Sequence, residues 1–269
     1  MPEKKIDTVL LAGGINRISL FEGYTPSLKA LLSFHDRPSI DFVLAALGQA
    51  PQVGQICIVG PERELQPAIR EPERYTFVPG GERPGESVFH GLCHFRESAQ
   101  ILFATVDIPL VTPEAIATFL QQSLENRSRG DLFVSAVDHS RFTGPYAGCP
   151  KRCTRLRGRS VCHGNLILAD PAAVLATISE EQLDTIYRSR KVPLRTAAAF
   201  GWKFALAYLM GGGILRFFTL EQAVKAASKH FRLRIVPVLL DHPEIAADID
   251  EAADYAFVQR LLARQAPVP

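Results

Sequence analysis

Two adjacent glycines followed by two cations are the first residues in the chain whose types could do chemistry. Gly13 and Gly14 end the apolar run 8–12, and Arg17 and Lys29 follow them. Glycine lets backbone N–H groups approach an anion closely, and the two cations add positive charge to hold it. The pattern predicts a phosphate-binding loop after a buried strand. Tight strand–helix turns share the glycine pair, so the hypothesis depends on the rest of the chain.

Acidic residues at two later positions have the chemistry to bind a hard cation. Asp107 directly follows the apolar run 101–106, and Asp248 and Asp250 precede the last predicted helix. Carboxylates bind Mg²⁺, often together with phosphate oxygens of a substrate. The alternative for Asp250 is that it caps that helix. A basic loop and two acidic strand ends together are what nucleotidyl transfer requires, because the charge on the departing pyrophosphate must be neutralised.

The elements that must position these residues alternate between strand and helix. Apolar runs predict strands at 6–11, 55–59, 75–78 and 101–106, and amphipathic runs predict helices at 38–50, 62–69 and 86–96 and from 113. This order is typical of a mostly parallel sheet with helices on both faces. Ligands bind at the carboxyl ends of such strands, where Gly13–Gly14, Gly80–Gly81 and Asp107 all fall. We therefore expect three loops to meet in one crevice.

The second half of the chain has a less regular pattern. Strands are predicted at 131–137, 160–168 and 232–239, and helices at 171–178, 180–190, 194–210, 219–230 and 251–263, while 144–157 is polar and rich in turn residues. The apolar segment 194–218 is interpreted as core or a dimer surface, with a membrane-facing lid as the alternative. It is too interrupted by charge and glycine to predict a transmembrane helix. No repeat or long linker divides the chain.

Composition and charge exclude several classes of protein. A net charge of +2 over 269 residues argues against a nucleic-acid partner. Basic clusters at 151–159 and 188–195 suit an anionic small molecule or a membrane surface, with solvated surface charge as the alternative. The start has no apolar signal-peptide core, so we expect a cytoplasmic protein whose five cysteines are free thiols. A metal cluster of Cys149, Cys153, Cys162 and His163 is a further alternative, although its spacing is not the usual one for zinc.

Several short motifs, taken in order, resemble those of the MobA-like nucleotidyltransferases. They are Leu11–Gly14 with Arg17 and Lys29, Arg37–Ile40, Glu86–Leu92, Thr105–Pro113 and Asp248–Asp254. The superfamily includes molybdenum cofactor guanylyl- and cytidylyltransferases, methylerythritol phosphate cytidylyltransferases and sugar-phosphate nucleotidyltransferases. The resemblance covers about the first half of the chain and the C-terminal motif. It implies a Rossmann-like three-layer α/β/α fold related to glycosyltransferase A, or GT-A-like.

The resemblance also implies an activity and a set of site residues. An NTP, with CTP or GTP expected, would donate its NMP unit to a phosphorylated small-molecule acceptor and release pyrophosphate. The implied catalytic residues are Arg17, Lys29 and Asp107, and the implied ligands of Mg²⁺ are Asp107 and Asp250, with Asp248 as the alternative second carboxylate. The implied nucleotide-binding residues are Leu11, Ala12, Gly13, Gly14, Gly80, Gly81 and Ser87. In the region 130–240, where the resemblance carries over no acceptor site, the candidates for acceptor binding are Tyr146, Lys151, Arg155, Arg157, Arg159, His163, Gly164 and Asn165.

One domain with three functional regions follows from these assignments. Residues 1–129 would form the NTP-binding half, 130–240 the acceptor-binding region, and 241–269 the C-terminal acidic motif and helix. The phosphate loop departs from the family pattern, because Ile18–Phe21 replaces the usual basic step and Lys29 comes late. Two alternatives stay open: a molybdenum cofactor guanylyl- or cytidylyltransferase, and a regulatory protein that binds a nucleotide or sugar phosphate without catalysis.

Overall fold

The computed structural model describes residues 5–189 and 218–265 of the chain. The predicted helix at 194–210 and most of the basic cluster at 188–195 lie outside these residues. No helix in the described ranges is both long enough and apolar enough to cross a membrane.

The strands of the described residues match the predicted ones closely and add short pairs that the sequence pattern does not show. In chain order they are β1 (Ile6–Leu11), β2 (Ile15–Asn16), β3 (Ser27–Leu28), β4 (Ser33–Phe34), β5 (Arg37–Pro38), β6 (Val53–Val59), β7 (Thr76–Val78), β8 (Ile101–Thr105), β9 (Leu132–Asp138), β10 (Thr154–Leu156), β11 (Arg159–Ala169) and β12 (Ile235–Leu240).

The helices also follow the predictions within a few residues. They are α1 (Ser39–Gln49), α2 (Glu62–Leu65), α3 (Pro84–His94), α4 (Pro113–Glu125), α5 (Pro171–Thr177), α6 (Glu180–Ser189), α7 (Leu220–Phe231) and α8 (Ala252–Gln265). The expected start of α4 is confirmed, since the Thr112 hydroxyl accepts the Ala115 N–H at 3.1 Å. Thr219 followed by Glu221 and Gln222 predicts a capping box at the start of α7, and reciprocal hydrogen bonds between Thr219 and Gln222 confirm it.

One sheet holds the fold together in the order β12-β9-β11-β8-β1-β6-β7, with β10 paired to β11. The pairings of β1 with β6 and β8, of β6 with β7 and of β12 with β9 are parallel. Strand β11 runs antiparallel to both β8 and β9. The mostly parallel sheet is therefore confirmed, and the carboxyl ends of β1, β6, β7, β8, β9 and β12 share one edge.

Alternation along the strands sends side chains to two separate cores. In β1, Leu10 packs in the core that contains Leu44 and Leu47 of α1 and Phe119 of α4. Its neighbour Val9 faces the opposite way, toward α3 and α5. A strand that is apolar on both faces is covered on both faces, which accounts for the continuous apolar runs in the sequence.

A third, smaller core joins the loop after β1 to the last helix. Leu20, Leu32 and Phe34 of that loop pack with Phe257 and Leu261 of α8, and all five side chains are buried. The loop is further ordered by the antiparallel pairs β2–β3 and β4–β5. The long spacing between Gly14 and Lys29 is thus a folded excursion that rests on the C-terminal helix.

The polar segment before β11 corrects the expectation of five free thiols. Strands β10 and β11 form an antiparallel hairpin in which Thr154 faces Val161. This register places Cys153 opposite Cys162, and the two form a disulfide. A thiolate metal cluster that uses these two cysteines does not fit this pairing. Cys57 and Cys93 lie on apolar faces of their predicted elements, which predicts that both are core residues. Cys57 is buried, but Cys93 is exposed, so the prediction is wrong for Cys93.

The disulfide makes a stoichiometric prediction. Protein purified without reductant and alkylated in denaturant should carry three modifications, on Cys57, Cys93 and Cys149. Prior reduction should raise the number to five, since Cys153 and Cys162 are then free to react. Intact mass spectrometry measures both values. Five modifications without reduction would contradict the pairing.

Two helical glycines make a matched prediction about packing. A Cβ at Gly91 of α3 would lie 2.6 Å from a Val9 methyl group, whereas a Cβ at Gly48 of α1 would meet no atom within 4 Å. Gly91→Ala should lower the free energy of unfolding by about 1–3 kcal/mol, because the rigid β-branched side chain of Val9 must move. Gly48→Ala should raise it by about 0.5–1 kcal/mol through helix propensity alone. Urea denaturation of the two variants checks the difference in sign, and equal stabilities would contradict it.

Candidate functional site

Three carboxylates meet at the carboxyl edge of the sheet. Each of Asp107, Asp248 and Asp250 offers an oxygen, and these atoms lie within 4.8 Å of one another. Asp107 comes two residues after β8 ends, and its carbonyl oxygen accepts the Ile249 N–H at 3.1 Å. This backbone hydrogen bond joins the C-terminal acidic motif to the end of the central strand. The expected proximity of the two acidic positions is therefore present in the structure.

Lys29 lies between two of these carboxylates. Its ammonium donates to Asp107 Oδ2 at 2.6 Å and to Asp250 Oδ1 at 2.7 Å, and the side chains of Lys29 and Asp107 are each only 14% exposed. Burial alone would lower the pKa of Lys29, but the two carboxylates together raise it well above its ordinary value. Burial alone would raise the pKa of Asp107, but Lys29 and the Thr105 hydroxyl bring it below its ordinary value. Lys29 is therefore a firmly charged ammonium.

Asp248 has a lysine of its own. Its carboxylate is paired with Lys151, and both side chains are largely buried. Burial and the neighbouring charge of Asp107 keep the pKa of Asp248 above its ordinary value in spite of Lys151. The cluster as a whole thus combines three carboxylates with two ammonium groups, and the pairing of Lys151 with Asp248 was not predicted from the sequence.

Buried polar residues around the cluster hold its segments in place. Asn16 is buried, and its amide donates to the Asp250 carbonyl at 3.3 Å while its Oδ1 accepts the Ile18 N–H at 3.0 Å. Asp254 Oδ2 accepts the N–H groups of Asp250 and Glu251, at 3.1 and 2.9 Å. Asp254 therefore orders the start of α8, while the Asp250 carboxylate is directed at Lys29. Sequence reasoning missed Asn16, whose only signal was an amide next to the phosphate loop.

The predicted glycine loops converge beside the carboxylates. Gly13 lies against Gly60, because a Cβ on Gly13 would be 3.7 Å from the Gly60 Cα, and a Cβ on Gly80 would be 3.4 Å from the same atom. Gly60 itself has no space for a side chain, since its Cβ would be 2.9 Å from Leu65 and 3.1 Å from the Ala12 carbonyl carbon. Sequence reasoning missed Gly60, although its position directly after the strand β6 was visible.

The remaining predicted nucleotide-binding residues line the same edge. The Ala12 N–H donates to the Val59 carbonyl at 2.9 Å, and the Leu11 carbonyl accepts the Val106 N–H at 3.2 Å. The Ser87 hydroxyl accepts the Gly81 N–H at 3.0 Å, which fixes the loop after β7 against the start of α3. These contacts join the end of β1 to the end of β6 and to the loop after β8, and they join the loop after β7 to α3.

The two predicted cations have different positions. The Lys29 N–H donates to the Gly14 carbonyl at 2.8 Å, because the pairing of β2 with β3 returns the chain to the glycines. Arg17 is exposed and forms no ion pair within the ranges that the structure describes. Lys29 is thus placed in the cluster, whereas Arg17 is free to approach a ligand from solvent.

The acceptor candidates are not all brought to the cluster, where Lys151 pairs with Asp248. Tyr146 packs its ring against Phe257 of α8, and burial raises the pKa of its hydroxyl. The Asn165 amide donates to the Ile245 carbonyl at 3.2 Å, next to the C-terminal motif. Arg157 lies in the turn of the β10–β11 hairpin, where its N–H donates to the Phe218 carbonyl. His163 is an exposed residue of β11, directly after the disulfide.

Comparison with known proteins assigns the chain to a family. A family model described as a MobA-like NTP transferase domain matches residues 8–268. The chain belongs to this family. It is therefore a member of a nucleotidyltransferase family of enzymes, as the sequence motifs predicted. No curated protein sequence matches the chain at a significant level.

Solved structures with the same fold span nearly the whole chain. A hypothetical transferase from Thermus thermophilus is 24% identical, with a TM-score of 0.72 over 93% of this chain and 99% of the other. A CMP:2-keto-3-deoxy-manno-octonic acid synthetase complexed with CTP is 13% identical, with a TM-score of 0.56 over 97% and 99%. A 4-diphosphocytidyl-2C-methyl-D-erythritol synthase from Anaerococcus prevotii is 12% identical, with a TM-score of 0.56 over 97% and 100%. These likenesses confirm the Rossmann-like, GT-A-like fold.

The contacts of Lys29 lead to a prediction about stability. Lys29→Met should lower the free energy of unfolding by about 3–5 kcal/mol, because it leaves buried carboxylates without their ammonium. Lys29→Met combined with Asp107→Asn should lose less than the sum of the single variants, with a coupling of about 1–3 kcal/mol. Urea denaturation of the four proteins measures this coupling.

The exposed ion pair Arg141–Asp241 provides the control. Its side chains are 57% and 70% exposed, so the same double-mutant cycle should give a coupling below about 1 kcal/mol. A coupling between Lys29 and Asp107 no larger than that of the control would contradict the prediction, because the buried ion pair would then stabilise the fold no more than an exposed one.

Proposed function

We propose that this chain is a Mg²⁺-dependent nucleotidyltransferase that transfers the NMP unit of an NTP to a phosphorylated small-molecule acceptor and releases pyrophosphate. The observation that carries the proposal is the meeting of Asp107, Asp248 and Asp250 with Lys29 at the strand edge where the glycine loops converge. This edge is where open α/β sheets bind ligands. Family membership supports the reaction class.

The carboxylates suit Mg²⁺ in both type and number. All three donors are carboxylate oxygens, which Mg²⁺ prefers, and their mutual separations stay within 4.8 Å. Octahedral coordination at about 2.1 Å sets ligand oxygens about 3–4 Å apart, so a small inward shift would make the set fit. When bound, the ion would neutralise phosphate charge in the transfer. Asp107 and Asp250 are the proposed ligands, with Asp248 completing the set.

The glycine loops and the cations would bind the nucleotide. Leu11–Gly14 would contact base and phosphates through backbone groups, and Gly80–Gly81 with Ser87 would form the facing wall. Gly13 and Gly14 are exposed, and a Cβ on either would meet protein atoms only at 3.7 Å or more, so their surface is open toward the crevice. Lys29 and Arg17 would hold the triphosphate. Such transfer depends on positioning and charge stabilisation and needs no protein nucleophile.

The acceptor would bind beside the strands β9 to β12, which belong to the second half of the chain. Tyr146 and Asn165 contact Phe257 and Ile245, which flank the C-terminal motif. Arg157 and His163 stay proposed contacts on the hairpin, within the proposed acceptor-binding region 130–240. A phosphorylated acceptor fits the basic composition of this region.

CTP is the first nucleotide to test. A synthetase of the same fold was solved with CTP, and the name of a second one includes a diphosphocytidyl product. These proteins support the choice of base only by likeness of fold, so all four NTPs belong in the assay. The proposed reaction takes place in the cytoplasm, and a homodimer stays a prediction.

The test is the release of pyrophosphate with Mg²⁺, each NTP in turn and a metabolite extract as acceptor source. The wild-type protein should release pyrophosphate with one NTP preferentially. Asp107→Asn should lower the rate at least about 100-fold, since the loss of a metal carboxylate costs several kcal/mol of charge stabilisation.

Asp241→Asn is the matched control for the loss of a carboxylate. Asp241 also follows a strand of the same sheet edge, but its side chain is 70% exposed and pairs with Arg141. This variant should keep the wild-type rate. Nucleotide binding without pyrophosphate release in any mixture would favour a regulatory protein, and full activity of Asp107→Asn would remove Asp107 from the metal site.

A further inference from the structure

The cations inside the carboxylate cluster come from opposite halves of the fold. Lys29 follows the glycine loop, and its N–H donates to the Gly14 carbonyl. Lys151 precedes the β10–β11 hairpin and contacts Asp248, through both the carboxylate and the backbone carbonyl. Each lysine side chain is about as buried as its carboxylate partner or more so. One cation thus belongs to the NTP-binding side and the other to the acceptor-binding side.

The same carboxylate groups serve both the lysines and the proposed metal. Lys29 contacts Asp107 and Asp250, and Lys151 contacts Asp248. Each of the three carboxylates is therefore already paired with an ammonium group. A divalent ion placed among them would stand within a few ångströms of two positive charges. At such distances, like charges near a protein surface repel by several kcal/mol. The lysines and the ion therefore compete for one set of oxygens.

We propose that Lys29 and Lys151 occupy the carboxylate oxygens in the free protein and so keep its affinity for a divalent ion low. When the substrates bind, each lysine leaves its carboxylates and pairs with the anion of one substrate. The proposal rests on the metal site of the proposed function. The triphosphate would take Lys29, because that lysine adjoins the glycine loop. An anionic group on the acceptor would take Lys151, which gives this acceptor candidate a specific role as an acceptor-positioning residue.

Reciprocal coupling follows from this exchange. An anion that takes a lysine away from the carboxylates raises their affinity for a divalent ion, and the ion raises the affinity for the anion by the same factor. The acceptor class that fits is an anion compact enough to pair with one ammonium, such as a phosphate monoester. A neutral acceptor would not produce the coupling through Lys151.

The first measurement is the Mn²⁺ affinity of the protein without nucleotide, which is determined from the EPR signal of free Mn²⁺. Lys29→Met and Lys151→Met should each bind Mn²⁺ at least about tenfold more tightly than the wild type, because one competing cation is gone. Lys151→Arg, which keeps the charge, should stay near the wild-type affinity. Circular dichroism establishes folding, and Lys29→Gln and Lys151→Gln replace any methionine variant that does not fold.

Arg152→Met is the matched control. It removes a positive charge next to Lys151 in sequence, but Arg152 is 89% exposed and pairs with Glu251 instead of one of the three clustered carboxylates. Solvent and salt screen that charge, so the Mn²⁺ affinity should change less than about threefold.

The second measurement probes the acceptor side with inorganic phosphate. Calorimetry should show that Mg²⁺ strengthens phosphate binding to the wild type and to Arg152→Met but not to Lys151→Met. Equal Mn²⁺ affinities in the wild type and in both lysine variants would overturn the inference and leave the proposed function standing. Phosphate binding that Mg²⁺ does not affect would overturn the role of Lys151. Absence of Mn²⁺ binding in every variant would overturn both the inference and the metal site of the proposed function.

Discussion

Repulsion among three carboxylates in a small, partly buried space is the constraint on which the rest of the site depends. Asp107, Asp248 and Asp250 share a region 4.8 Å across, and in water-poor surroundings such a set is unstable without cations. The fold supplies two ammonium groups from distant segments. The two segments that carry the carboxylates are joined by a backbone hydrogen bond from the Ile249 N–H to the Asp107 carbonyl. The folded loop after β1 and the segment before β10 each bring a lysine to this point.

Most of the fold and the positions of several candidate site residues were predictable from the sequence, for identifiable reasons. Apolar runs flanked by turn residues mark the central strands, because strands buried on both faces leave a strong signal. Asp107 and the glycine loops were found for the same reason: they sit directly after those strands. The position of Lys29 was harder, since its approach to Gly14 depends on the two-residue pairing of β2 with β3, which no periodicity reveals.

What the sequence did not reveal lies in contacts between distant segments. The pairing of Lys151 with Asp248 and the support of Asp250 by Asn16 each join residues far apart in the chain. The Cys153–Cys162 pairing depends on the register of a hairpin hidden in a polar stretch. Local pattern carries no information about such contacts. The predicted roles of the site residues depend on bound substrates or on a bound ion, and they stay predictions.

The packing of α8 on the loop after β1 has a consequence for biosynthesis. The ammonium of Lys29 and the carboxylate of Asp250 are 221 positions apart, and the small core that fixes both includes Phe257 and Leu261. After Lys29, a ribosome must therefore translate 221 further positions before these groups can meet. A nascent polypeptide that ends before Asp248 lacks two of the three carboxylates of the cluster. The order of translation thus delays the assembly of the cluster until α8 has emerged and packed.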